Sequence, residues 1–216
     1  YAVDISVKQL VELLDFDSPV FFTEKEKLNK ENYFYFQPMG DAEKEAIQNC
    51  TYDPQCVYDP TGRGLHMPDV MSSEYFQLES GRNPVAVESI INHISQRMMV
   101  FNVEYPILLS LFCVLHEYGH WVHFKNSGKS PYEYARMEAN ERAEHEKTAQ
   151  GICAMDDWDP YKIVLARRYH NEIYSNFTSE KFANEYALEH FADAIKKVRS
   201  AVGYTEQELL ELSING

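Results

Sequence analysis

An α+β fold, mostly helical, with a small β-sheet in the N-terminal half and a central helix, is predicted by three features of the 216-residue chain. Short aromatic or β-branched runs broken by Pro and Gly occupy residues from about 30 to 80, the texture of a small sheet with turns. From about residue 83 to residue 216 the chain carries helical apolar spacing and repeated helix-start signals. The apolar run from Pro106 to Leu115 leads directly into a polar segment, marking one buried helix that presents chemistry at its far end. No linker-like stretch separates sheet from helices, so residues 1–216 are expected to form a single domain.

The elements follow in order. Ile5, Val7, Leu10, Val11 and Leu14 have helical spacing, and Pro19 closes that segment. The runs YFYFQP, CVYDP, LHMP and EYFQL, between Tyr33 and Leu78, are expected as strands, with a helix from Asp41 to Asn49 interrupting them. Asn83-Pro84 pairs an N-cap with a first-turn proline and predicts a helix to about Phe101. Pro106 opens the next helix, which runs to the stop at Asn126-Ser127-Gly128. Ser130-Pro131-Tyr132-Glu133 is a capping box, Thr178 caps a helix to about Ser200, and Thr205 with Glu208 forms another capping box.

Composition narrows the function classes. Hydrophobic residues make up 44% and charged residues 25%, ordinary for a globular protein. Asp and Glu total 34 against 20 Lys and Arg, a net charge of −14 that repels phosphate backbones and anionic lipid. Neither nucleic acid nor a membrane is therefore an expected partner. The longest apolar run is about half of the ~20 residues a bilayer span needs. The N-terminal segment YAVDISVKQL has no signal-like character, which favours a cytoplasmic location; secretion stays open if a leader has been removed. Among the four cysteines, Cys113 and Cys153 read as buried thiols, while Cys50 and Cys56 flank a turn that oxidation could close. Oligomeric state is not legible.

The chemistry concentrates in Leu111 to Phe124. His116 and His120 are four residues apart, so on a helix both imidazoles project from one face, about 6 Å apart along the axis. That spacing lets two ring nitrogens meet one zinc ion at about 2 Å each. Glu117 can lean over the metal-bound water as general base. Gly119 leaves room for a neighbouring segment to approach closely. His123 is the weaker partner, because the His-Glu-x-x-His arrangement selects 116 and 120. For a third ligand the residues alone leave several donors: Glu189, Glu141, Glu138 and the histidines 145, 170 and 190.

On these residues the chain resembles the gluzincin branch of the zincin metallopeptidases, whose third ligand is a Glu on a later helix, often within E-x-x-A-D or E-x-x-x-D. Glu189-His190-Phe191-Ala192-Asp193 matches that pattern. The resemblance therefore implies Glu189 as third zinc ligand and Asp193 as hydrogen-bond partner of a ligand His, with Ala192 keeping the helix crossing tight. Glu189 and Asp193 share one helical face, and Glu185, Glu189 and Asp193 form a row of acids calling for a compensating cation. The interval from His120 is longer than many gluzincins show. Neither the metzincin pattern nor the deformylase cysteine context is present.

The resemblance further implies one zinc ion per chain, a peptide or protein substrate, and hydrolysis by zinc-activated water with Glu117 as base. The alternative is a zincin-fold regulatory or partner-binding module with structural zinc. RGLHMP, Arg63 to Pro68, precedes the zinc helix in the order expected of a strand beside the cleft, and Tyr169, His170 and Tyr186 are candidate oxyanion donors.

Overall fold

The computed structural model describes residues 3–28, 33–153 and 176–215. Helices dominate: α1 (Val7–Leu14), α2 (Asp41–Gln48), α3 (Ser72–Arg82), α4 (Pro84–Ser95), α5 (Tyr105–Ser127), α6 (Pro131–Cys153), α7 (Thr178–Val202) and α8 (Glu206–Asn215). Among the described residues three strands, β1 (Val20–Glu24), β2 (Tyr35–Gln37) and β3 (Gly64–Asp69), form one small sheet in the order β1-β3-β2. The α+β class and the sheet in the N-terminal half are as expected.

The capping chemistry explains most helix starts. Ser6 accepts from the Gln9 N–H while the Gln9 side chain returns to the Ser6 N–H. Asn83 caps α4, Ser130 pairs reciprocally with Glu133 at the start of α6, and Thr205 does so with Glu208 at α8. Gly128, at φ 64°, ends α5 in the left-handed conformation that a side chain disfavours.

Three expectations for the first hundred residues need correction. EYFQL is part of helix α3 rather than a strand. Its first turn is capped from far away in sequence: the Asp4 carboxylate accepts from the Ser73 N–H at 3.0 Å and from the Ser72 and Ser73 hydroxyls at 2.6 Å each. CVYDP is irregular, and Cys50 and Cys56 are exposed free thiols. Helix α4 ends at Ser95 rather than Phe101, whose extended backbone carries its ring into the core under the Arg199 guanidinium. Strand β1, where VFFTE lacks alternation, was not foreseen.

Strand β3 pairs in parallel with β1 and antiparallel with β2. It is the central strand, not the one bordering the cleft; that border is β2. Leu65 and Met67 point from β3 into a core shared with Val7, Val70, Tyr75, Leu109 and Val114. On the opposite face His66 is stacked between Phe21 and Tyr35, with its Nε2 2.8 Å from the Gly62 carbonyl. A second core joins Leu10, Ile94, Ile107, Leu108, Leu111, Ile195 and Val198. Helix α5 belongs to both cores, and almost every residue from Pro106 to His120 is buried. It is the rigid post on which the polar segment is mounted.

Candidate metal centre

Helices α5 and α7 cross at Gly119. A Cβ placed there would lie 2.8 Å from the Ala183 Cα and 3.1 Å from its carbonyl oxygen, so only glycine permits this approach. The small side chains of Ala183 and Ala187 complete the buried face of α7, together with Phe191, Ala194, Ile195 and Val198. This crossing brings the first turn of α7 against the histidines of α5.

Three donor atoms converge there. His116 Nε2 and His120 Nε2 are 3.1 Å apart, and Glu180 Oε2 lies 3.3 Å from the first and 3.6 Å from the second. Among the described residues these form the one group of His, Cys, Asp or Glu side chains arranged to hold a metal ion. A tetrahedral zinc with bonds of 2.0–2.1 Å keeps its ligand atoms about 3.3 Å apart, and the three separations bracket that value. The donor set and its spacing fit the ion.

The surroundings prepare the nitrogens. His116 Nδ1 donates to Asn184 Oδ1 at 3.1 Å, which leaves the Nε2 lone pair directed at the group. Burial pushes the Glu180 carboxyl up, but the two imidazoles outweigh it and hold the group well below the ordinary carboxylate range. Burial pushes His120 down, whereas Glu180, Glu117 and Glu138 pull it up and prevail. Glu117 is buried beside the cluster without joining it; burial raises its pKa against the pull of the two histidines.

The expected third ligand needs correction. The structure sets Glu180, not Glu189, beside the histidines. Glu189 is exposed, as are Glu185 and Asp193, and Asp193 pairs at 3.3 Å with Lys196. The row of acids lies two residues beyond Ala183, Ala187 and Phe191, roughly 200° round the helix from the buried stripe. Water suffices for it. Asn184 therefore takes the role expected of Asp193, and Ala183 that expected of Ala192, which is exposed.

The sequence around Glu180 carries a matching pattern. Glu180-Lys181-Phe182-Ala183-Asn184 is the same E-x-x-A pattern ending in an amide, and an amide oxygen accepts an imidazole N–H as a carboxylate does.

The other candidates separate cleanly. Glu138 lies beside the cluster, where burial raises its pKa and the Ser179 hydroxyl bonds to it. Glu141 accepts from the backbone and hydroxyl of Thr178. His123 bonds to the Tyr134 hydroxyl at 2.7 Å, His145 packs edge-on against Phe177, and His190 is exposed. Tyr186 stacks on His190 and packs against Tyr118, away from the cleft. Tyr169, His170 and the Cys153 side chain lie outside the described residues. Cys113 lines the cleft and bonds to the Tyr75 hydroxyl, and burial pushes its thiol up to about 12, too high for a nucleophile.

The cleft over this cluster has a volume of about 1110 Å³. Its floor is α5 from Phe112 to His120, and its walls come from Tyr33–Phe36, α3 and α4 on one side and from α6 and α7 on the other. No described helix is long and apolar enough to cross a membrane. No protein-family model, no curated protein and no solved structure matches the chain.

Proposed function

We propose that the protein is a gluzincin-like zinc metallopeptidase in which His116, His120 and Glu180 hold the metal and Glu117 is the general base. The observation that carries this reading is the convergence of three donor atoms at tetrahedral spacing in an open cleft, with a buried non-ligand carboxylate one residue after the first histidine. Among the described residues no fourth donor joins the group. Three protein ligands and an open position are the pattern of a catalytic rather than a structural zinc site.

Zinc bound there would polarise a substrate carbonyl and bring the pKa of a water in the cleft towards about 7. Glu117 takes the proton from the attacking water and passes it to the departing amine. Asn184 keeps the His116 ring in one orientation and one tautomer. An extended peptide can pair along β2, since among the described residues that strand is bonded to β3 on one side only and the chain at Tyr33–Phe36 lines the cleft.

Glu117→Gln is the decisive variant, because it preserves shape while removing the base. It is expected to bind zinc as the parent does and to lose peptide hydrolysis by about 10²- to 10⁴-fold. Zinc-loaded parent protein that cleaves nothing in a diverse peptide library would overturn the peptidase reading and leave a zinc-binding module.

A further inference from the structure

Helix α6 presents two carboxylates to the first turn of α7. Glu141 accepts the Thr178 backbone N–H at 3.1 Å and the Thr178 hydroxyl at 2.8 Å. One turn earlier, Glu138 is bonded by the buried Ser179 hydroxyl. The residue immediately after these two anchors is Glu180. Phe177, at the N-cap position of α7, supplies no side-chain cap of its own. The cap instead comes from another helix.

That arrangement matters because the first turn of a helix is where fraying begins, its leading N–H groups having no acceptor within the helix. Glu180 stands in this turn, so the donor atom it contributes is positioned only while the turn is formed. A carboxylate on the leading N–H supplies the missing acceptor and also places negative charge at the positive end of the helix. We infer that Glu141 is a positioning residue for the metal site: by capping α7 from α6, it holds the turn that delivers Glu180 to His116 and His120. Glu138 supports the same turn through Ser179. Metal affinity is thereby coupled to the docking of α6 on α7. This rests on His116, His120 and Glu180 being the metal ligands.

The test uses the full chain with zinc, and with cobalt(II) as a spectroscopic probe. Glu141→Ala is expected to weaken zinc binding about three- to thirtyfold in a competition titration, the equilibrium equivalent of losing a helix cap. At saturating cobalt its visible absorption bands are expected to broaden and shift, because the carboxylate still binds but the loosened turn no longer fixes its orientation to the metal. Glu141→Gln keeps an oxygen acceptor and is expected to recover most of the affinity and the parent spectrum. A variant that merely destabilised the fold would give the parent spectrum once saturated. Should Glu141→Ala not fold, Thr178→Ala removes the hydroxyl bond alone and is expected to give a smaller loss in the same direction. Parent affinity and parent spectrum in Glu141→Ala, or in Thr178→Ala where that variant has to stand in, would overturn the inference. Failure of the underlying site would look different: Glu180→Ala would then bind zinc as the parent does.

Discussion

Glu180 and Glu189 stand on one helix nine residues apart, roughly 13 Å along its axis, and one metal ion cannot draw on both through the same pair of histidines. Burial and neighbours separate them. Glu180 is enclosed with two imidazoles against it, whereas Glu189 faces water. Zinc affinity in Glu180→Ala is therefore expected to fall more than a hundredfold, beyond the ten- to hundredfold typical of losing a hydrogen-bond partner to a ligand. Glu189→Ala should stay within about threefold of the parent on the same scale. A competition titration of the two variants side by side decides between them, and the reverse order would return the third ligand to Glu189. Both acids sit within an E-x-x-A pattern, so the short pattern alone could not rank them. What ranks them is which face of α7 meets α5.

At the level of elements, that meeting depends on Gly119. In an exposed helix Gly→Ala stabilises by about 1 kcal/mol. Here the added methyl meets backbone atoms of Ala183, and overpacking of this kind costs about 1–3 kcal/mol. Gly119→Ala is therefore expected to give no gain in thermal stability and to weaken zinc binding, because α7 carries Glu180 three residues before the contact. A more stable variant with parent zinc affinity would show that the crossing has slack. Helix α3 supplies a second case, with its start tied to the N-terminal segment through Asp4. Burial raises the Asp4 pKa, but the bonds from Ser72, Ser73 and Ile5 outweigh it and leave it below its ordinary value of 3.8. A carboxyl lowered by folding contributes stability that is present above its unfolded pKa and is lost as pH falls through the folded one. Asp4→Ala should thus be less stable than the parent at neutral pH, by about 1 kcal/mol on the scale of a lost cap. The gap should narrow below about pH 4, where unfolded carboxylates take up protons. Denaturant melts at pH 7 and pH 3 measure both terms, and a gap that widens in acid would contradict the assignment.

Across the whole molecule, the two cores share α5, and the His116, His120 and Glu180 cluster bridges α5 and α7. A ligand that binds only the folded form stabilises by mass action, about 4 kcal/mol at a thousand times its dissociation constant. For a chain of this length that corresponds to a rise in Tm of roughly 10 °C. Zinc-loaded protein should melt that much above the chelator-treated protein. At the same zinc concentration the increment should fall to about a third or less in Glu180→Ala, whose metal-free Tm should lie close to that of the metal-free parent. An increment that is undiminished in Glu180→Ala would place the stabilising ion elsewhere.

Local chemistry by itself determined the helical C-terminal part, the sheet in the N-terminal half, the capping boxes at Ser130 and Thr205, and the pairing of His116 with His120. The capping boxes and the histidine pair are each set by residues within four positions of one another, and the strand-forming runs by their local composition. It also placed Gly119 at a close approach, since a glycine inside a buried helix has few other uses. Tertiary structure alone decided the rest. The helix that contains EYFQL begins where Asp4, remote in sequence, caps Ser72 and Ser73. β3 became central because β1, which lacks a strand's alternation, pairs beside it. Glu180 rather than Glu189 joined the histidines because the small residues Ala183 and Ala187 set which side of α7 is buried. Charge rows, aromatic spacing and five-residue patterns report what a helix face could do, whereas the contact that buries a face requires two segments at once.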